Sequence, residues 1–209
     1  MSAVLLYPGA GTDASHPSLV AIERAVAPVP CVRADFPYRK LGRRAPDRPP
    51  VLMAAVRTEL DDIRREHPGP VVMGGRSMGG RMCSMVAAGA DGFPPPADVA
   101  GLVLICYPLH PPGKPDRLRV EHLPAITVPC LFVSGTKDPF GTPDELKHWT
   151  ATIPGDVQHV WIEGARHDLK GADGTIADAV AAFVSGLRGK QRPRGSAPRA
   201  RGVPSRGTT

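Results

Sequence analysis

The chain has 209 residues, a length that fits one domain with a single hydrophobic core rather than two full domains. Only 5% of the residues are aromatic, so aliphatic side chains and glycine must fill that core. The net charge of +6 lies mostly in residues 188–209, which hold seven basic residues and no acidic one; residues 1–187 are close to neutral, and a nucleic-acid-binding domain is not expected.

Short apolar segments alternate with segments of helical periodicity, which predicts an α/β fold with about six mostly parallel strands and helices on both faces. The predicted strands are residues 3–7, 29–34, 71–73, 102–106, 130–134 and 157–162. Apolar residues at helical spacing mark helices at 19–26, 52–63, 82–86, 146–149 and 176–187.

Two Pro-rich and basic segments, residues 36–50 and 108–129, interrupt this alternation. Each follows a predicted strand, so we expect both to lie over the carboxyl edge of the sheet. Ligands bind at that edge in open α/β sheets. Neither segment is long enough to form a cap domain, and we therefore predict a shallow, accessible pocket.

The basic segment 188–209 is predicted to be a disordered tail, because a single valine is its only sizeable apolar residue. We expect at most weak electrostatic contact between this tail and polyanions such as nucleic acids. The N-terminal segment has no basic residues and too short an apolar stretch for a signal peptide. No run has the roughly 18 apolar residues that span a bilayer, so we expect no membrane partner and a cytoplasmic location.

The four cysteines lie singly within apolar runs, and we expect them to be buried and reduced. They are Cys31, Cys83, Cys106 and Cys130. No group of histidines, cysteines or carboxylates has the spacing of metal ligands, so neither a metal nor another cofactor is expected.

The motif Gly-x-Ser-x-Gly occurs at Gly75, Ser77 and Gly79. Alone it is a weak signal, since about 0.1 such matches per chain arise by chance at this glycine and serine content. Its context is stronger, because a β-branched strand precedes it and a helical segment follows it. That arrangement is typical of a nucleophile elbow, whose strained turn exposes the serine hydroxyl. The alternative is a glycine-rich turn with an idle serine.

A serine hydroxyl needs a base to remove its proton and an acid to orient that base. After a nucleophile elbow, the acid and then the histidine follow in chain order, in loops after later strands. Asp138 follows the fifth predicted strand and His167 follows the sixth. We therefore predict Ser77 as nucleophile, Asp138 as acid and His167 as base. His110 is the main rival base, and we otherwise expect it on the substrate side.

An oxyanion hole needs two hydrogen-bond donors aimed at the developing negative charge. The backbone N–H of Met78, directly after the serine, is the first expected donor. The loop after the first strand would supply the second, and we nominate the N–H of Ala10, with Gly11 as the next choice. Glycine in this loop lets the backbone approach closely.

The same loop supports a different interpretation. Gly9, Gly11 and Ala14 fit the pattern Gly-x-Gly-x-x-Gly/Ala, and Asp35 ends the next strand-like run. This is close to a dinucleotide-binding fingerprint, in which the acid contacts a ribose hydroxyl. It leaves the ordered serine, aspartate and histidine unexplained and offers no site for hydride transfer, so we favour the hydrolase.

Segments 74–79, 107–115, 121–123 and 131–138 resemble the testis-expressed-protein-30-like α/β-hydrolases. That group is related to dienelactone hydrolases and to the hydrolase-like domain of the third subunit of the non-specific-lethal histone acetyltransferase complex. The resemblance covers residues 3–187. It implies a compact, capless α/β-hydrolase domain over residues 1–187, with the same nucleophile, acid and base. Pro8 departs from the pattern, because the family usually has histidine there.

Together these features predict a serine hydrolase of small, soluble carboxylic esters or thioesters that works through an acyl-enzyme intermediate. Arg76, Arg81 and Lys114 are candidates to attract an ester that carries a carboxylate or phosphate. Solvated charges or salt bridges are the more ordinary fate of such residues. The alternative function is a hydrolase-shaped protein-interaction module with little catalysis.

Overall fold

The computed structural model describes residues 1–190. Its six strands are β1 (Ala3–Tyr7), β2 (Cys31–Arg33), β3 (Val71–Arg76), β4 (Val99–Ile105), β5 (Cys130–Gly135) and β6 (Val157–Ile162). Its helices are α1 (Pro17–Val26), α2 (Pro37–Lys40), α3 (Pro49–Glu66), α4 (Met78–Ala87), α5 (Pro143–Thr150) and α6 (Asp173–Lys190), with a 3-10 turn at Leu123–Ala125. Residues 188–190 are the end of α6, and the rest of the predicted tail lies outside the described residues.

The strands form one sheet in the order β2-β1-β3-β4-β5-β6, and every neighbouring pair is parallel. The predicted α/β class and its parallel sheet are therefore confirmed. β3 runs three residues past the predicted 71–73. Gly74 and Gly75 have little intrinsic preference for strands, but pairing with β1 and β4 on both sides holds them in the sheet.

Helices cover both faces of the sheet, which explains why its central strands are apolar throughout. One face packs against α1 and α6, through residues such as Leu19 and Val180. The other packs against α3, α4 and α5, through residues such as Val56, Met82 and Leu146. Burying a side chain of this size contributes roughly 1.5–3 kcal/mol, so the two layers fix the positions of the strand ends.

The segment after β2 contains the short helix α2, which the sequence pattern did not predict. Phe36 and Tyr38 flank its start and are completely buried. The ring of Phe36 stacks on Tyr7 at the end of β1, with ring centroids 4.4 Å apart. These aromatic contacts hold the Pro-rich segment over the carboxyl edge of the sheet, where it was predicted to lie.

The second Pro-rich segment follows β4 and begins with buried residues at the carboxyl edge of the sheet. A hydrogen bond of 2.9 Å from the N–H of Arg119 to the carbonyl oxygen of Leu109 closes a loop within this segment. Leu109 is completely buried, whereas residues 112–117 between these anchors are exposed. The segment is therefore a closed loop with a solvent-facing tip.

All four cysteines are free thiols. Cys83, Cys106 and Cys130 are buried as predicted, but Cys31 is partly exposed because β2 is an edge strand. Among residues 1–190, none of the helices combines the length and the apolar character that crossing a lipid bilayer requires.

Candidate active site

Ser77 lies in the tight turn between β3 and α4, with φ of 46° and ψ of −112°. Its positive φ is a strained conformation for a residue with a side chain. Glycine is required on both sides of it. A Cβ at Gly75 would lie 2.0 Å from the carbonyl oxygen of Tyr7, and one at Gly79 would lie 2.5 Å from the same atom. The two glycines therefore let β3 and α4 pack directly against the end of β1.

A chain of hydrogen bonds joins three side chains at the carboxyl edge. Nε2 of His167 lies 2.9 Å from Oγ of Ser77. Nδ1 of the same ring lies 2.8 Å from Oδ2 of Asp138 and 3.0 Å from its Oδ1. Asp138 is 3% exposed, and its carboxylate also accepts a hydrogen bond from the N–H of Phe140, at 2.9 Å. With Nδ1–H donating to the carboxylate, Nε2 is the ring atom free to take the hydroxyl proton.

The loop that carries His167 is held from two further directions. The ring of Phe140 stacks on the imidazole, with centroids 4.0 Å apart. Nη2 of Arg76 donates to the carbonyl oxygens of His167 and Asp168, at 3.3 and 3.0 Å, and Nη1 lies 3.4 Å from Oγ of Ser18. Arg76 is buried, so these contacts occupy most of its donors. Arg76 also lines the cavity that contains Ser77, so its expected contact with substrate stays a prediction beside these contacts with the protein.

The predicted oxyanion residues Met78, Ala10 and Gly11 all line the cavity that contains Ser77. Within residues 1–190, their N–H groups have no hydrogen-bond acceptor, so they are free to bind a ligand oxygen. The hydroxyl of Tyr38 donates to the carbonyl oxygen of Ala10 at 2.8 Å and fixes this part of the loop. Sequence reasoning missed Tyr38, because no local pattern links two residues 28 positions apart.

The cavity has a volume of about 660 Å³, within the usual range for small-molecule sites. The loop after β1 and Phe140 line the cavity together with Ser77 and His167. Pro49, Pro108 and Arg119 also line it. Both Pro-rich segments thus contribute to the cavity, as their predicted positions require.

His110 is buried and is not among the described residues that line this cavity. Its Nδ1 is 3.0 Å from the carbonyl oxygen of Pro111, and its Nε2 is 3.6 Å from Oε1 of Glu145. Its N–H donates to the carbonyl oxygen of Phe140. The loop turns inward after Pro108 and buries the ring, and a contact between His110 and substrate stays a prediction.

The loop after β1, which also fits a dinucleotide-binding fingerprint, lies next to Ser77. A Cβ at Gly9 would lie 3.7 Å from that of Ser77, which places the loop against the serine. Asp35, the proposed ribose ligand, accepts a hydrogen bond from the N–H of Ala14 at 2.9 Å. Its carboxylate therefore fixes the loop from within the protein, which argues against a ribose contact.

One group of potential metal ligands falls at the same edge. Cys106, Asp138 and His167 offer ligand atoms that lie within 4.8 Å of one another. Burial raises the pKa of the Cys106 thiol to about 12, so the sulfur keeps its proton and is a poor ligand at neutral pH. The other two residues are hydrogen-bonded to each other. The donor set thus fits a proton-transfer pair beside a neutral thiol better than a metal centre.

Several solved structures are similar to this chain over most of its length. Est1E from Butyrivibrio proteoclasticus aligns with a TM-score of 0.70 and 14% identity, covering 89% of this chain and 88% of that one. An alpha-beta serine hydrolase homologue from Coxiella burnetii aligns with a TM-score of 0.70 and 16% identity, covering 88% and 86%. The esterase domain of a Rhodothermus marinus protein aligns with a TM-score of 0.64 and 16% identity, covering 90% and 86%.

Identities this low show a shared fold. The family model of the alpha/beta hydrolase domain matches residues 1–181, which include all the residues of the site described above. The chain therefore belongs to the alpha/beta hydrolase domain family.

Proposed function

We propose that this protein is a serine hydrolase that cleaves small, soluble carboxylic esters or thioesters through an acyl-enzyme intermediate. The observation that carries the proposal is the unbroken hydrogen-bonded chain from Ser77 through His167 to Asp138. An idle serine in a glycine-rich turn would not require a histidine and a buried carboxylate from two later loops to align with it.

In the first half of the reaction, Oγ of Ser77 attacks the ester carbonyl carbon while Nε2 of His167 takes its proton. Asp138 stabilises the imidazolium that forms. The tetrahedral intermediate collapses when His167 returns the proton to the leaving alcohol or thiol, which leaves Ser77 acylated. A water molecule then attacks the acyl group with the same proton transfers, releasing the acid and restoring the serine.

We assign the N–H groups of Met78 and Ala10 as donors to the oxyanion, with Gly11 as the alternative to Ala10. Loss of one such donor costs about 10²–10³-fold in kcat in enzymes of this kind. Met78 is also the first residue of α4, where the partial positive charge of the helix favours an anion.

The cavity supports the choice of small substrates. Within residues 1–190 its walls come mainly from loops and the helix after Ser77, with no inserted cap domain to extend the cavity around a long acyl chain. We expect p-nitrophenyl acetate and butyrate to have higher kcat/KM values than p-nitrophenyl palmitate. Within the family, the Tyr-Pro-Leu-His-Pro-Pro-Gly-Lys-Pro run at 107–115 supports a place in the testis-expressed-protein-30-like group, related to dienelactone hydrolases.

A fluorophosphonate probe tests the proposal directly, because it reacts only with an activated serine. We expect a covalent adduct at Ser77, identified by mass spectrometry, that disappears in Ser77→Ala and falls strongly in His167→Ala. Ser185→Ala is the matched control, since Ser185 is exposed on α6 far along the chain and should leave labelling unchanged. A folded protein that the probe does not label at Ser77 would contradict the proposal and favour an interaction module.

A further inference from the structure

Two arginines line the cavity on the side of α4 and the second Pro-rich loop. Arg81 lies one helical turn after Ser77, so its Cα is about 6 Å further along α4. Arg119 lies at the end of the closed loop after β4, and its Nη1 is 3.4 Å from the carbonyl oxygen of Pro108. Both residues are half-buried and both contribute to the wall of the cavity.

Neither guanidinium forms an ion pair with any carboxylate of residues 1–190. Other partly buried arginines of the protein do form such pairs, as Arg33 does with Glu23 and Arg57 does with Asp91. Nε of Arg81 is buried and has no hydrogen-bond partner within the described residues. A half-buried cation without a partner is unfavourable unless a ligand supplies the opposite charge.

The charge of Arg81 affects the pKa values of two neighbouring side chains, Arg119 and His122. Burial and the neighbouring Arg81 both lower the pKa of Arg119. Burial, and again Arg81, lower the pKa of the adjacent His122 to about 4, so this ring is neutral at physiological pH. The uncompensated charge at this end of the cavity therefore comes from the arginines.

The other charged residues of the cavity already have partners. Asp47 pairs with Arg43 at 2.8 Å, although its second carboxylate oxygen is buried without a hydrogen-bond partner. Asp168 accepts a hydrogen bond from the N–H of Lys170, and Arg76 donates to backbone carbonyls. Arg81 and Arg119 are thus the pair with donors available to a ligand.

We propose that Arg81 and Arg119 form a subsite for a carboxylate carried by the ester substrate, a few bonds away from the carbonyl that Ser77 attacks. A guanidinium presents a planar fork of N–H donors that matches the two oxygens of a carboxylate. The proposal rests on the proposed ester hydrolysis and narrows its substrates to anionic esters. It assigns to Arg119 a role that the sequence did not suggest.

Binding to the Ser77→Ala protein tests the subsite without requiring turnover. The probes are the monomethyl esters of succinic, glutaric and adipic acid, each compared with its dimethyl ester by isothermal titration calorimetry. We expect at least one monoester to bind about tenfold more tightly than its neutral counterpart, the difference that a charged hydrogen-bonded contact supplies. Arg81→Gln and Arg119→Gln, each added to Ser77→Ala, should each remove most of that preference.

Arg117→Gln is the matched control, because Arg117 lies in the same loop and its loss changes the net charge equally, yet it is exposed and outside the cavity wall. It should leave the preference intact. Equal binding of all three monoesters and their dimethyl esters would overturn the subsite, as would an equal effect of Arg117→Gln. Fluorophosphonate labelling of Ser77 is independent of these results, so failure of the subsite is distinguishable from failure of the proposed hydrolase.

Discussion

The guanidinium of Arg76 donates a hydrogen bond of 3.3 Å to the backbone carbonyl oxygen of His167. Arg76 ends β3 directly before Ser77, whereas His167 follows the edge strand β6. The residue beside the expected nucleophile therefore holds the loop of the expected base. This contact joins two parts of the site that are 91 positions apart in sequence.

We predict that Arg76 is a positioning residue. Arg76→Met removes its hydrogen bonds to the loop, and we expect kcat for p-nitrophenyl acetate to fall by up to about 100-fold, because small displacements of a catalytic group cost that much. KM should change little, and Arg76→Lys should recover part of the loss. Arg166→Met, at an exposed position in the same loop, should keep normal kcat. A raised KM with unchanged kcat would instead assign Arg76 to substrate binding.

A second prediction concerns the hydroxyl of Tyr38, which donates to the carbonyl of Ala10. Tyr38→Phe leaves that loop less restrained, and we expect kcat to fall about tenfold if the oxyanion donor shifts with it. Tyr7→Phe is the control, because Tyr7 is equally buried and its hydroxyl donates to Ala55 in α3, away from Ser77. Each variant should lose about 1 kcal/mol of stability, measured by urea unfolding, but only Tyr38→Phe should lose kcat. Equal kcat values for the two variants would contradict this role.

A third prediction contrasts two glycines. Gly79→Ala places a Cβ 2.5 Å from a backbone oxygen of β1, so α4 must move, and we expect a loss of about 3 kcal/mol or more in unfolding free energy. In Gly186→Ala the new Cβ meets no atom within 4 Å outside its own stretch of helix, and Gly186 is exposed in α6. The change should stabilise the protein by about 0.5–1 kcal/mol, since alanine favours a helix more than glycine does. Similar unfolding free energies for the two variants would refute the packing argument.

A fourth prediction concerns the pH dependence of stability. His122 is buried against Ser84, with its Nε2 2.8 Å from the serine Oγ, and its pKa is lowered to about 4, mainly by burial. Its unfolded-state pKa is about 6.5, so the unfolded chain takes up the proton first as the pH falls. The stability that the neutral ring provides is therefore complete above about pH 6.5 and is lost progressively down to about pH 4.

Urea unfolding at pH 7.5 and pH 5.0 measures this effect. Between pH 7.5 and pH 5.0, we expect the unfolding free energy of the unsubstituted protein to fall by about 2 kcal/mol more than that of His122→Gln. His148→Gln is the control, because His148 is exposed on α5, and it should lose as much stability as the native protein. The same pH dependence in His122→Gln and the native protein would show that another group is responsible.

Periodicity and apolar runs predicted the six strands well, because a buried parallel strand is apolar on both faces. β1 and β6 have the predicted bounds, whereas the predicted β3 stopped short of Gly74 and Gly75. Those glycines become strand residues because they pair with two neighbouring strands. The preference of each residue for a strand does not reveal such pairing. Helix α2 was missed for a related reason, since it depends on burial of Phe36 and Tyr38 under distant residues.

Chain order and the nucleophile elbow were enough to propose Ser77, Asp138 and His167, whose catalytic roles stay predictions. The directions of two other side chains were beyond sequence reasoning. Arg76 and His110 are both polar residues near the carboxyl edge, and sequence placed both towards substrate. In the folded chain, Arg76 donates to the carbonyl oxygen of Asp168 and His110 lies beside the carboxylate of Glu145 in α5, and no local sequence pattern links these pairs.

The backbone hydrogen bond between Arg119 and Leu109 closes the loop after β4, and the length of that loop is free to vary beyond this bond. This bond fixes the base of a loop whose tip, residues 112–117, is exposed to solvent. Extra residues at such a tip are tolerated, since the closure entropy of a loop grows only slowly with its length. A longer tip would add surface next to Pro108 and Arg119, which line the cavity, while the hydrogen-bonded Ser77, His167 and Asp138 stay in place.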